Sequence, residues 1–396
     1  MELKTCNLDQ ILSDVFRWSS NQGFVGYNKH DGLNSLLLRF ALGWAKWPRI
    51  IAIQTVMRAP VNIRPFLFVP KTVNPKGLAL FVLGLVDHYK TTHNQDDLKR
   101  AEDLVNKLMS CRSPGNWAGD CWGYSYPWQD LGFFAPAFTP NAVVTSFVCE
   151  ALLAVYRINK SREYLESVES VINFFLNDLT VIEETSDSLC LAYMPLPMKM
   201  RVMDVSILVG SVIAQYAHIS ENKKLMNKAK KLVNFVIEKQ TGYGAWYYTD
   251  PPEDSPIRHD NYHTGFILDA LWSYMEAADD WQWQANYEKG LKFYAEKLFN
   301  KDGSPRWMSD KDFPHDIHGA AQGIITFSKA VCNGYNYFDL LNKISDWSVR
   351  NMYNGHGKFY YQQTPLYTKK FNLLRWCNAW MFRAIASLLI TMEHKS

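Results

Sequence analysis

From Pro75 to Met392 one unit recurs about every 55 to 65 residues: an aromatic Gly/Pro-rich stretch, a polar cluster, an apolar helix, a short break and an amphipathic helix. The first helix of each unit starts near Pro75, Asn141, Asp204, Asn261, Asp316 and Leu373. A hairpin of this kind cannot bury its apolar face alone, so successive units must pack on one another. The period predicts an all-α, single-domain closed ring of helical hairpins over residues 1–396, although length alone would suggest two or three domains.

Within a unit the two helices differ in character. Val205 to Ala217 is apolar nearly all round, whereas Asn222 to Lys239 is lysine-rich, so the first helix belongs inside and its partner outside. Asn74 before Pro75 and Thr139 before Pro140 pair a capping side chain with a proline that opens a helix. Connections within a pair are short, as at Ser220-Glu221 and around Asp279. Those between pairs are long: Cys111 to Thr139, Leu179 to Met203, Thr241 to Asp260, Asn300 to His315 and Asn354 to Asn372. The long ones must share one end of the ring, where function usually sits. Short hairpins are expected in Tyr243 to Thr249 or Lys358 to Gln363. The last inner helix needs a partner, and the N-terminal segment 1–70 supplies two choices, Leu8 to Ser19 or Leu33 to Val56. The stretch 33–68, rich in Leu, Ile, Trp and Arg, reads otherwise as an exposed surface for a protein partner or a membrane.

Composition excludes some classes. With 42 Lys and Arg against 39 Asp and Glu, dispersed to a net charge of +3, there is no footprint for nucleic acid. Met1 to Gln10 has neither the basic nor the apolar region of a secretory signal, so a cytoplasmic location is expected. The longest clean apolar run, Gly77 to Val86, is half of the roughly 20 residues a spanning helix needs, so no transmembrane segment is expected. The seven cysteines are scattered without a CxxC pair and read as reduced and structural; Cys121, in an aromatic loop, is the one weighed as a nucleophile.

The loop Gly115 to Asp130 holds Trp117, Trp122, Tyr124, Tyr126 and Trp128 with Asp120 and Asp130, and later loops carry Trp246 to Tyr248, Trp307 and Phe359 to Tyr361. Aromatic faces beside carboxylates and amides suit sugar rings, which stack their CH face and hydrogen-bond through their hydroxyls. They suit an isoprenoid carbocation equally. At the inner-helix starts stand Asn141, Asp204, His259-Asp260-Asn261-Tyr262-His263, His315-Asp316-Ile317-His318 and Arg375. If the ring closes, these ends converge on one cavity. His263 or His318 then serves as general base or acid, Tyr262 as its partner and Arg375 as a carboxylate clamp. Trp122, Tyr124, Trp128, Trp246, Trp307, Asn141 and Asp204 are the expected substrate contacts. Each residue also has a bland role as plug, cap or buried hydrogen-bond partner. His259/His263 and His315/His318 have helical spacing but no HExxH glutamate, so a site without metal or cofactor is favoured.

The helix-pair ring with aromatic loops resembles the (α/α)6 toroids, a group that includes unsaturated glucuronyl hydrolases, sugar 2-epimerases, glucuronyl C5-epimerases and polysaccharide lyase domains. The segments Tyr27 to Ser35, Asn74 to Phe81 and Asp260 to Phe266 are similar to proteins of surface-polysaccharide clusters. Gln240 to Trp246 matches the Q-x3-G-x-W pattern of the terpenoid cyclase and prenyltransferase toroids, but the chain has neither DxDD nor DDxxD. The resemblance implies a carbohydrate-active enzyme, most readily one that transfers a proton on a uronic-acid-containing glycan, as an epimerase or lyase would. Hydrolysis would instead require two carboxylates among Asp120, Asp204, Asp260 and Asp316. A glycan-binding or assembly protein without turnover would share the same cleft.

Overall fold

The computed structural model describes residues 5–395. In chain order its helices are α1 (Thr5–Asn21), α2 (Leu36–Leu42) and α3 (Lys46–Arg58), then α4 (Pro75–Thr92) with α5 (Gln95–Met109), and α6 (Ala142–Asn159) with α7 (Arg162–Asn177). They continue with α8 (Met203–Ile219) and α9 (Lys223–Ile237), α10 (Asn261–Ala278) and α11 (Gln284–Lys297), α12 (Ile317–Cys332) and α13 (Phe338–Met352), and α14 (Trp380–Lys395). The even-numbered helices from α4 to α14 pack in sequence, and α14 returns to pack on α4, so the inner ring is closed. The fold is an all-α (α/α)6 toroid. The outer partner of α14 is α1, the first of the two segments the sequence offered. At the seam Gly84 is required, because a Cβ there would stand 2.6 Å from the Phe382 ring.

Local chemistry sets the helix ends. Each turn from an inner to an outer helix has a residue of positive φ: His93, Lys160, Glu221, Asp279 and Gly334. Asn94 and Asn222 follow at once and cap the outer helix through their side chains. Inner helices α4, α6 and α12 start on Asn74, Asn141 and Asp316, whose side chains accept from Gly77, Val144 and His318 N–H, so Asn141 and not the expected Thr139 caps α6 and Pro140 lies before the helix. The α14 segment opens on a π-helical turn, Arg375–Ala379, before its regular part.

The long loops carry only short antiparallel ribbons. Thr249–Asp250 pairs with Arg201–Val202 of the preceding loop rather than forming a hairpin of its own. Gln362–Gln363 lies between His315–Asp316 and Thr368–Lys369. One described helix, α6, is long and apolar enough to cross a membrane, and 72% of it is buried as ring wall.

Candidate active site

A cavity of about 900 Å³ opens above the inner-helix N-termini. All five long loops reach it, through Tyr124 and Trp128, Tyr193, Tyr248, Trp307, and Tyr361 with Tyr367, so they share one face. Its size is that of a small-molecule site. Asp204, Tyr262, His263, His318 and Arg375, from α8, α10, α12 and the π turn, line the same space.

Asp260 stands in the N-cap position of α10 but makes no cap bond with its side chain. Its Oδ2 instead meets His263 Nδ1 at 2.7 Å. A capping carboxylate is thus spent on orienting an imidazole, which leaves Nε2 as that ring's other proton-exchanging atom. Burial pulls the His263 pKa down, but the Asp260 charge, its hydrogen bond and nearby Asp204 together raise it above the ordinary 6.5. Tyr248 lies against the same ring, centroids 4.4 Å apart. Burial pushes the Asp204 carboxyl up, with His263 and Lys76 opposing.

On the far side of Tyr262 is His318. The two rings are parallel within 7° at 4.7 Å, and Trp380 covers the other imidazole face at 4.4 Å. Neither His318 nitrogen has a protein hydrogen-bond partner. Burial, with Lys76, Arg375 and Lys29 nearby, holds this imidazole well below its ordinary pKa, so it is neutral near pH 7. Burial, together with the charge of Asp260, keeps Tyr262 far above the ordinary phenol value and therefore protonated.

Basic side chains surround this stack. Arg375 is buried, and its Nε has no protein partner. Lys76 Nζ lies 3.9 Å from the Phe147 centroid and 4.5 Å from that of Phe266, and burial, with Arg375 nearby, holds its pKa well below the ordinary lysine value. Lys29 Nζ lies 3.8 Å from the Trp376 ring, and burial brings its pKa down to about 8 against the opposing charge of Asp316. Lys29 is presented by a loop folded on a buried ion pair. Arg64 Nε meets Asp31 Oδ1 at 2.7 Å, and Arg64 Nη2 donates to Asn28 O at 2.8 Å.

Several expected contacts lie elsewhere. Trp122 and Trp246 are not stacking platforms: both are buried beneath the loops, donating their indole N–H to Leu108 O and Val236 O in the last turns of α5 and α9. Asp120 faces the outer wall, bound by Arg112 Nη2 at 2.8 Å and Ser167 Oγ at 2.7 Å. Asn141 is a helix cap. Asp260 and Asp316 stand behind the lining; Asp316 accepts from Trp376 Nε1 at 2.7 Å and Gln362 Nε2 at 2.8 Å. Of the four carboxylates expected for hydrolysis, Asp204 alone lines the cavity, where Asp130 and Asp254 join it.

Cys121 is buried, which pushes its thiol up to about 12 and removes it as a nucleophile near neutral pH. Both His259 nitrogens are engaged, with Trp246 O and Tyr243 Oη. Among the described residues no three His, Cys, Asp or Glu side chains form a metal-holding group.

Sequence reasoning missed Lys29, Lys76 and Tyr193 as site residues, while Tyr248 belongs to the expected loop aromatics. Lys76 obeys the rule that found the others, a polar residue at an inner-helix start. The Q-x3-G-x-W segment is explained by packing: Gln240 exchanges hydrogen bonds with Asn286 at the start of α11, and Gly244, at φ +96°, has no room for a Cβ beside Lys289 O.

No family model matches the sequence, and no curated protein does. Solved structures do. A cellobiose 2-epimerase from Bacillus thermoamylovorans superposes with a TM-score of 0.63 at 12% identity, over 81% of this chain and 88% of its own. A polysaccharide lyase matches at 0.61 and 11% identity over 99% and 98%. An α-mannanase from Bacteroides thetaiotaomicron matches at 0.62 and 12% over 81% and 87%. The shared property is the toroid fold.

Proposed function

We propose that this toroid is a carbohydrate-active enzyme that binds an acidic sugar, one bearing a uronic carboxylate, and removes the proton on the carbon beside that carboxylate. The observation that carries this reading is the Asp260–His263 contact of 2.7 Å in a cavity that also holds Arg375 and Lys29. Proton loss at that carbon places negative charge on the carboxylate, and cations there stabilise it in the transition state. His263 Nε2 takes the proton while Asp260 holds Nδ1 and stabilises the imidazolium. Tyr262 keeps its proton and serves as the acid. In elimination it protonates the departing glycosidic oxygen as the C4–O4 bond breaks and a C4–C5 double bond forms; in epimerisation a proton returns to the opposite face of the same carbon.

The Asp260–His263 pair and the cations favour this over hydrolysis by two carboxylates, a role that Asp204 would share with Asp130 or Asp254 of the same cavity. Epimerases, a lyase and a hydrolase all use this fold, so the choice rests on the side chains. The test is a screen of uronic-acid glycans in deuterated water. Label at the carbon beside the carboxylate without cleavage marks an epimerase, and a new ultraviolet-absorbing double bond marks a lyase. Tight glycan binding with neither signal would make the protein a binding module.

A further inference from the structure

Between Asp31 and Asp87 the chain has no acidic residue. In that stretch α2 buries none of its side chains: Leu36 is 71% exposed and Phe40 91%. Trp44 and Trp47 follow, and the turn at residues 65–68 holds Phe66 and Phe68 nearly 80% exposed. Ser35 Oγ bonds Leu67 O and so ties this turn to the start of α2. Along α3 the exposed side chains after Lys46 are Trp47, Ile51, Thr55 and Arg58, one stripe at helical spacing, while Ala52, Ile53 and Val56 are buried. The helix therefore buries one apolar side and leaves Trp47 and Ile51 to solvent on the other. Interleaved with these apolar groups are the exposed cations Arg39, Lys46, Arg58 and Lys71.

A contiguous apolar surface of this kind marks an interaction site. Its occupant follows from charge and composition. Tryptophan and phenylalanine alternating with Lys and Arg, with no acid, match the headgroup region of an anionic bilayer, where aromatic rings sit at the interface and each cation adds attraction. Lys369 Nζ bonds Met57 O and Arg58 O, which sets the loop at Thr364 to Tyr367, with Leu366 91% exposed, beside the end of α3. The inward side of α3 (Ile50, Gln54, Met57) and this loop both line the cavity.

We infer that the segment from Leu36 to Lys71, with the Leu366 loop, docks on an anionic lipid bilayer and sets the mouth of the cavity at the membrane surface. The form of substrate that reaches such a mouth directly is a lipid-linked acidic saccharide; this last step rests on the proposed function, whereas the docking does not.

The test is flotation of the full chain with vesicles of phosphatidylcholine alone and with about 30% phosphatidylglycerol. Flotation should require the anionic lipid and weaken in about 0.5 M salt. The exposed-site pairs Phe40→Ser with Trp44→Ser, and Arg39→Glu with Lys46→Glu, should each reduce binding about tenfold or more while circular dichroism is unchanged. Absence of flotation, or flotation indifferent to both pairs, overturns the docking and leaves the acidic-sugar reading intact. A dimer in solution that the Phe40/Trp44 pair dissociates assigns the surface to a second copy and also overturns it. Flotation without turnover of any acidic glycan, free or lipid-linked, counts against the proposed function alone.

Discussion

His263 Nδ1 and Asp260 Oδ2 stand 2.7 Å apart across the first turn of α10, in a position where an aspartate would ordinarily cap the helix. Replacing His263 by Gln should leave the circular dichroism unchanged and lower turnover roughly 10² to 10⁴-fold, the contribution of a positioned acid or base. Retained turnover would remove His263 from the chemistry.

The pH profile follows from the same pair. As a base His263 must be neutral, so kcat/KM should rise with pH through a value above 6.5. Asp260→Asn takes away the charge that raises this pKa, and the rising limb should move to lower pH as the maximum rate falls. The protonated imidazole also stabilises the fold. Because its folded pKa is the higher one, this contribution is complete below the unfolded value and is lost as pH rises through the folded value. Chemical denaturation of wild type and Asp260→Asn across that window measures it.

Lys29 should set the alkaline limb. Its pKa of about 8 means that the ammonium is lost above that pH, and binding of an acidic sugar weakens with it. Lys29→Met should raise KM and abolish the fall above about pH 8. A falling limb that persists in this variant would place it on another group.

Trp122 and Trp307 should separate cleanly. Trp122→Phe loses the bond to Leu108 O and some packing, so it should cost about 2 kcal/mol of stability with KM unchanged. Trp307→Ala, at the cavity, should raise KM with little loss of stability. Equilibrium unfolding and steady-state kinetics on the two variants check this.

Much of the architecture could be read from sequence because its signals are local: caps at Asn74, Asn141 and Asp316, apolar inner helices, and a period that brings equivalent positions to one end. That same period is why residues as far apart as Asp204 and Arg375 line one cavity. The direction of a loop aromatic is set by loop register rather than composition, and so Trp122 and Trp246 read as platforms although they anchor helix ends. The resemblance of Tyr27 to Ser35 marks the segment of Lys29 but not its role, since this loop lies outside the repeat and is folded by an Asp31–Arg64 pair 33 residues apart.

That pair makes its own prediction. Asp31→Asn strands a buried guanidinium and should cost about 3 to 5 kcal/mol, with loss of the Lys29-dependent limb in whatever protein folds. Thermal unfolding of this variant, compared with the milder Trp122→Phe, gives the order.

The central claim is proton abstraction beside a sugar carboxylate by His263, and the direct measurement is isotope exchange at that carbon during turnover of a uronic-acid glycan in deuterated water. The account predicts deuterium in recovered or epimerised sugar, or an unsaturated product absorbing in the ultraviolet, with either signal reduced roughly 10²-fold or more in His263→Gln. Cleavage to saturated sugars without label at that carbon, or a signal that His263→Gln leaves intact, would contradict it.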